Sequence, residues 1–205
     1  LGLRERTLVI FYSDNGGLLK DGAQTPWRGG KAQLYEGGIR VPLVLQWPGV
    51  IAAGRTSDLP VTSVDFFPTL VELAGGRTTG AIDGVSLAAF LRGGPAPARE
   101  AIFWHYPHYH SAGIHGPAGA VRAGDWKLIE YYEMALTGEG APLELFNLRT
   151  DPAEARNLAA AEPERVTALR EKLAAWRAAT GAQMPTANPK FDPARAKQAG
   201  GGSRD

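Results

Sequence analysis

Hydrophobic and polar positions divide the chain into two parts with different patterns. In the first part, residues 8–12 and 41–47 are short apolar runs that predict strands. The first run is apolar enough for a parallel strand that helices cover on both faces. Residues 63–75 place apolar side chains near helical spacing and end at a glycine pair, and residues 86–92 predict a shorter helix. This part therefore has an α/β pattern.

The pattern changes after residues 93–97, where glycines and prolines predict a linker. Turn residues then separate four short strand-like runs, as expected for an antiparallel sheet. These runs are residues 101–106, 119–123, 126–132 and 143–148.

A long helix is predicted from residue 162 to about residue 180. Its apolar stripe would lie across one face of the sheet, which is an α+β arrangement. We therefore predict an α/β part at residues 1–97, an α+β subdomain at 98–184, and an extended or disordered tail at 185–205. The stripe consists of Val166, Leu169, Leu173 and Trp176.

Composition narrows the possible partners. The chain has 22 basic and 21 acidic residues and a net charge of +1, which gives no reason to expect nucleic-acid binding. It has no cysteine, so disulfides and thiolate metal sites are excluded. No run approaches the roughly 18 apolar residues of a membrane span.

Asp14 and Asn15 follow the first predicted strand and are candidate metal ligands. Calcium prefers carboxylate and amide oxygens, and both residue types adopt turns readily. Lys31, which directly follows Gly29-Gly30 and precedes a Glu36-Gly-Gly turn, could offer an ammonium to an anion. Arg28 is the competing cation. The same residues are also compatible with an ordinary Asp-Asn-Gly turn and a solvated lysine.

Four histidines lie between His105 and His115, interleaved with aromatic residues. A zinc site would need defined spacing on rigid elements, and this stretch contains proline and glycine. Aromatic faces that stack on pyranose rings, with imidazoles that bind hydroxyl or sulfate oxygens, give a better physical case for a sugar site. Loop packing without a ligand remains the alternative.

The series of motifs resembles the type I sulfatases of the alkaline-phosphatase superfamily. The resemblance rests on Ser13-Asp-Asn-Gly16, Lys31 before Glu36-Gly-Gly-Ile-Arg-Val-Pro42, Trp47-Pro-Gly49, Ser63-Val-Asp-Phe-Phe-Pro-Thr69, Arg122-Ala-Gly-Asp-Trp-Lys-Leu128 and Leu145-Phe-Asn-Leu-Arg-Thr-Asp-Pro152. It implies part of an alkaline-phosphatase-like α/β sandwich followed by a small α+β subdomain.

The resemblance also implies a function and a division of the site. Asp14 and Asn15 would ligate Ca²⁺, Lys31 would contact the sulfate, and His105 and His108 would contact a sulfated carbohydrate or aryl sulfate ester. The family's formylglycine nucleophile comes from a cysteine or serine in an N-terminal motif that this sequence does not contain. We therefore expect a C-terminal portion, inactive by itself, whose partner is the N-terminal portion or a second copy.

Alternative functions stay open at this stage. A phosphoester hydrolase of the same superfamily could use a related metal site, and a carbohydrate-binding fragment would need no nucleophile. The expected location is periplasmic or extracellular, with the signal region outside this chain. Three further residues have structural expectations. Glu36 pairs with Arg40 or with backbone, Lys127 is solvated or reaches the active-site rim, and Asp151 before a proline starts a helix.

Overall fold

Two antiparallel sheets, one of two strands and one of four, organise the chain. The computed structural model describes residues 1–22, 24–110, 116–137 and 142–190. The strands are β1 (Val9–Tyr12), β2 (Leu43–Gln46), β3 (Ile102–Tyr106), β4 (Ala118–Ala123), β5 (Trp126–Tyr131) and β6 (Leu143–Asn147). The α-helices are α1 (Glu36–Ile39), α2 (Phe66–Leu73), α3 (Ala88–Leu91), α4 (Tyr132–Thr137) and α5 (Pro163–Thr180), and short 3₁₀ turns lie at Arg4–Arg6, Leu19–Asp21 and Ser63–Asp65.

The two-stranded sheet corrects one expectation. Strands β1 and β2 pair antiparallel, with Val9 opposite Gln46 and Tyr12 opposite Leu43, whereas the apolar character of the first run predicted a parallel strand. An antiparallel pair needs no helical crossover, and the described residues between the strands, 13–22 and 24–42, contain turns, the 3₁₀ turn Leu19–Asp21 and the one-turn helix α1. The apolar content of a short strand therefore did not determine its direction.

The four-stranded sheet has the order β3-β4-β5-β6 and carries α5 on one side, as predicted. Alternation along each strand gives this sheet a helix-facing side, which includes Val121, Leu128 and Leu145, all fully buried. Phe103 from β3 stacks on Trp176 of α5 with ring centroids 5.1 Å apart. Pro163 begins α5, and Gly181 ends it in the left-handed conformation at φ 63°.

The opposite, loop-facing side of the same sheet packs against residues from the first part of the chain. Ala120, Ile129 and Phe146 point to this side and form one core cluster with Tyr35. The loop of residues 28–40, which contains α1, covers them. Contacts therefore cross the predicted boundary at residue 97, and the division into units itself stays a prediction.

A buried carboxylate organises the segment between the two sheets. Asp65 is fully buried and accepts hydrogen bonds from the backbone N–H groups of Thr62 and Val85, and it forms an ion pair with Arg99. Thr62 and Asp65 form a reciprocal capping box at the 3₁₀ turn Ser63–Asp65, which leads into α2. The helix predicted at residues 63–75 is confirmed, as a 3₁₀ turn followed by α2.

Residues 182–190 carry no helix or strand, and the rest of the predicted tail, residues 191–205, lies outside the described residues. Within the four described ranges, no helix combines the length and apolar character that a membrane span requires.

The helix stripe generates the first prediction. Leu173 of α5 is fully buried against the sheet, so Leu173→Ala should lower the free energy of unfolding by about 2–5 kcal/mol, because it leaves a cavity. Leu70→Ala in α2 is the matched control, since Leu70 is 44% exposed, and should cost about 1 kcal/mol or less. Urea unfolding measures both changes. Equal losses would contradict the packing of α5 on the sheet.

Candidate functional site

An open cleft of about 1360 Å³ lies between the two sheets. This volume exceeds the roughly 300–1,000 Å³ of most small-molecule pockets, so a ligand would occupy only part of it. Three of the predicted site residues, Asp14, Asn15 and Lys31, line this cleft. The structure therefore brings together residues that lie up to 17 positions apart in the sequence.

Asp14 and Asn15 form a tight turn directly after β1. Asp14 Oδ1 accepts a hydrogen bond from the Asn15 backbone N–H at 3.0 Å, and Asn15 Nδ2 donates to Gly16 O at 3.1 Å. Within the described part of the chain, no donor is bonded to Asp14 Oδ2 or Asn15 Oδ1. A carboxylate oxygen and an amide oxygen are thus available side by side, and both suit a hard cation such as calcium.

Two oxygen side chains alone do not make a tight metal site. Calcium usually takes about 6–8 oxygen ligands. The described residues contain no group of three or more His, Cys, Asp or Glu side chains placed to hold a metal. The turn fits part of a calcium site, and other residues would have to complete the coordination.

Lys31 contributes a positive charge to the cleft wall, which Arg40, Arg55, Arg122 and Arg149 also line. Its backbone N–H donates to Gly17 O at 2.9 Å, which fixes the main chain, while its side chain is half-buried. No carboxylate or other acceptor among the described residues bonds to the Lys31 ammonium. An unpaired ammonium beside two open oxygens is suited to an anion that also contacts a cation.

Backbone segments cross so closely next to Lys31 that only glycine fits. A Cβ on Gly16 would overlap the carbonyl of Gly37, and a Cβ on Gly37 would lie 2.6 Å from Arg28 O. A Cβ on Gly38 would lie 2.5 Å from Gly30 O. The Asp14-Asn15 turn and the Lys31 loop are therefore held in direct backbone contact, without intervening side chains.

A buried ion cluster lies beneath this loop. Lys127 is fully buried on the loop-facing side of β5, and its Nζ lies 2.9 Å from Glu36 Oε1 and 2.7 Å from Glu154 Oε1. The Glu154 contact is an ion pair that is poorly directed for a hydrogen bond. Burial raises the pKa of Glu154, and the Lys127 ammonium acts in the opposite direction. Glu36 also pairs with Arg40 at 3.6 Å, as predicted.

Lys127 is the main site residue that the sequence misassigned. It was expected to be solvated, with a position at the active-site rim as the alternative, and it is instead buried. The register places it opposite Phe146 and Arg122, on the side that the loop of residues 28–40 covers. Nothing in the sequence next to Lys127 indicates that two distant glutamates reach it.

Glu154 reaches the cluster from a turn, not from a helix. Asp151 accepts backbone hydrogen bonds from Ala155 and Arg156, and Glu154 adopts a left-handed backbone at φ 54°. The predicted helix start at Asp151 is therefore wrong, because the turn ends without a helix. The turn instead points the Glu154 carboxylate toward Lys127 and the Glu36 backbone. Glu154 Oε2 accepts a hydrogen bond from the Glu36 N–H at 2.6 Å.

Arg28 does not line the cleft. Its guanidinium stacks over the Tyr35 ring at 4.0 Å, donates to Glu154 O at 2.9 Å, and lies 3.9 Å from Glu144. Tyr35 in turn donates to the same Glu144 carboxylate at 2.6 Å. The structure therefore places Arg28 as a clamp between the loop and the sheet, apart from the wall that Lys31 forms.

The histidine-rich segment divides between two faces. His105 points to the helix-facing side, where its ring contacts Tyr132 Oη at 2.7 Å and Gln183 O at 3.0 Å, so both ring nitrogens are engaged within the chain. His108 is exposed and packs edge-on against Tyr106. Trp104, Tyr106 and His110 are the members of the segment that line the cleft. His115 lies outside the described residues.

Residues 29–179 match the family described as "N-sulphoglucosamine sulphohydrolase, C-terminal". The chain belongs to this family of sulfatase C-terminal domains. Curated relatives include a sulfatase from Formosa agariphila, 35% identical over 85% of this chain and 34% of the relative. Human arylsulfatase A is 36% identical over 83% of this chain and 38% of its own length. The chain thus spans about a third of the length of these sulfatases.

Solved structures give the same assignment of fold. Ps i-CgsB superposes with a TM-score of 0.70 at 29% identity, covering 84% of this chain and 37% of the other. BT4656, solved in complex with its substrate D-glucosamine-2-N,6-O-disulfate, gives 0.68 at 28% identity, covering 86% of this chain and 35% of the other. The predicted combination of an alkaline-phosphatase-like part with a small α+β sheet and helix is confirmed.

The glycine crossing can be tested without a ligand. Gly37→Ala should cost about 3 kcal/mol, because the new Cβ meets backbone that cannot rotate away, and should shift the NMR amide signals of Gly16 and Lys31. Gly54→Ala is the control: Gly54 has open space around it but φ 69°. It should cost about 1–2 kcal/mol and leave those signals in place. Unchanged Gly16 and Lys31 signals in Gly37→Ala would refute the close crossing.

Proposed function

We propose that this chain provides the calcium-ligating turn and a sulfate-binding lysine of an enzyme that hydrolyses sulfate esters on a carbohydrate. The observation that carries the proposal is the shared cleft of Asp14, Asn15 and Lys31, with two open oxygens and an unpaired ammonium. Membership of a sulfatase family gives this arrangement its chemical meaning.

Asp14 Oδ2 and Asn15 Oδ1 are the atoms that would hold calcium. When bound, the ion supplies positive charge that stabilises the oxygens of a sulfate group during transfer. The tight turn limits the reorganisation of both side chains, since its hydrogen bonds already fix one atom of each. The remaining ligands would come from outside the described residues.

Lys31 would bind a sulfate oxygen or the oxygen of the leaving alcohol. Negative charge grows on the leaving oxygen as the sulfur–oxygen bond breaks, and a fixed ammonium stabilises it. The formylglycine of the family comes from a cysteine or serine in an N-terminal motif, and this sequence contains neither a cysteine nor that motif. In this proposal the nucleophile is therefore supplied from beyond these 205 residues, and the chain by itself does not turn over an aryl sulfate.

The carbohydrate class of the substrate has two supports. Trp104 and Tyr106 line the same cleft as Lys31, and aromatic side chains offer flat faces to a sugar ring. The substrate of the structural relative BT4656 is a sulfated glucosamine. His108 stays a predicted substrate contact. The proposal includes the periplasmic or extracellular location that the family resemblance leads us to expect.

Sulfate binding to the chain itself tests the role of Lys31. Inorganic sulfate should shift the NMR amide signals of Gly30 and Lys31 with a millimolar Kd, because a half-exposed ammonium binds an anion weakly. Lys31→Met should weaken binding about five- to tenfold. The control is Lys20→Met, which removes an exposed lysine from the same region and should change Kd less than about twofold.

Ionic strength is held constant with sodium chloride, because exposed charges are screened by salt. Equal effects of the two lysine variants would mean that sulfate responds only to net charge. That result would remove Lys31 from the proposed site.

Calcium titration tests the other half of the proposal. The isolated chain should bind Ca²⁺ weakly, with Kd above about 100 μM, because two side-chain ligands are far fewer than ~6–8. Asp14→Asn should abolish the residual binding, and Asp21→Asn, in the exposed turn at residues 19–21, should not. Sub-micromolar binding in calorimetry would contradict a shared site, since it would require a complete ligand set within this chain.

A further inference from the structure

We infer that Lys127, Glu36 and Glu154 form a positioning cluster that sets the geometry of Lys31 and of the Asp14-Asn15 turn. Glu36 lines the cleft, whereas Lys127 and Glu154 do not, and the role inferred for all three is to position other residues. The inference rests on the proposed function for its consequence, but its geometric part stands on contacts within the chain.

The first step joins the sheet to the loop. Lys127 is anchored on β5, the strand between β4 and β6, and its ammonium holds Glu36 Oε1 at 2.9 Å. Glu154 accepts from the Glu36 N–H at 2.6 Å and pairs with Lys127 at 2.7 Å. Glu36 is therefore held at both its backbone and its side chain, by partners 91 and 118 positions away in the sequence.

The second step passes from Glu36 to the calcium-ligating turn. Gly37 and Gly38 follow Glu36 and have no side chains that could anchor them. Gly38 O accepts from the Gly16 N–H at 2.9 Å, and Gly16 directly follows Asn15. A shift of Glu36 therefore moves Gly38 and, through this hydrogen bond, Gly16. Because Gly16 is the next residue after Asn15, the position of Asn15 changes as well.

The third step reaches Lys31 from the other end of the same loop. Gly37 N donates to Arg28 O at 2.7 Å, and Lys31 N donates to Gly17 O at 2.9 Å. The Lys31 loop and the Asp14-Asn15 turn are thus tied by two backbone bonds, at Gly16 and at Gly17. Both hydrogen bonds require the loop to stay packed against the sheet. The buried cluster provides that attachment.

Because the cluster is charged, it should hold the loop of residues 28–40 in one position as well as cover the sheet. Apolar side chains in these positions would allow the loop to shift along the sheet, because hydrophobic contacts are not directional. An ammonium shared by two carboxylates has one favourable arrangement, since any displacement leaves a buried charge without its partner. The cluster should therefore select a single position for a loop whose glycines would otherwise permit several.

Hydrogen exchange and sulfate binding test the inference together. The informative variant is the triple substitution Glu36→Gln, Lys127→Met and Glu154→Gln, which removes all three charges at similar volume. It avoids the unpaired buried carboxylates that Lys127→Met alone would leave, so it should fold. Glu36→Gln alone is the second variant, in case the triple variant does not fold.

The expected result is local. Amide exchange of Gly16, Lys31, Gly37 and Gly38 should accelerate at least about tenfold, while the β4 and β5 amides keep their protection. If the binding-competent loop falls to about a tenth of the population, the sulfate Kd rises about tenfold. The matched control is Glu130→Gln, which breaks a buried ion pair with Arg177 on the helix-facing side and should leave the loop amides unchanged.

The outcomes separate the two proposals. Accelerated loop exchange without any sulfate binding by the wild-type chain would retain the positioning cluster and overturn the sulfate role of Lys31. Wild-type loop exchange and wild-type sulfate affinity in the triple variant would overturn the positioning cluster and leave Lys31 in place. Equal acceleration in loop and sheet amides would also overturn it, because it would mean general destabilisation.

Discussion

The buried ammonium of Lys127 is the constraint on which the rest of the site depends. A lysine fully removed from water is stable only where opposite charges replace its hydration. Glu36 and Glu154 meet that requirement, and each is itself buried. Lys127 lies on a strand, Glu36 in a loop and Glu154 in a turn. Neutralising the Lys127 ammonium therefore fixes these three segments relative to one another. The pairing thereby joins the sulfatase sheet to the loop that lines the cleft.

Close backbone contact then transmits that fixed position to the binding atoms. Gly16 and Gly37 approach so closely that no side chain fits between them, so the Asp14-Asn15 turn has little freedom relative to the loop. A site built from backbone crossings is rigid only when its foundation is rigid. The charged cluster and the Tyr35-Glu144 hydrogen bond provide that foundation from two neighbouring residues of the loop.

Local patterns predicted the elements of this sulfatase domain well and its long-range contacts poorly. The stripe on α5 and the strand runs of the four-stranded sheet depend on periodicity, which a single sequence contains. Asp14, Asn15 and Lys31 could be proposed as site residues because their motifs are short and contiguous; they line one cleft, and their roles stay a prediction. Lys127 was misplaced because its burial depends on partners more than 25 positions away, and the direction of β1 depends on a partner strand that apolar content does not identify.

The histidine-rich segment illustrates the same limit at the scale of one strand. Composition makes His105 and Trp104 equally plausible ligand contacts, but adjacent strand residues point to opposite faces. Trp104 consequently lines the cleft, and His105 binds Tyr132 under α5. The face of each residue could be assigned only once the loop of residues 28–40 was known to cover one side of the sheet. Strand alternation and the covering loop together therefore decide which aromatic residues of this sulfatase domain line the cleft.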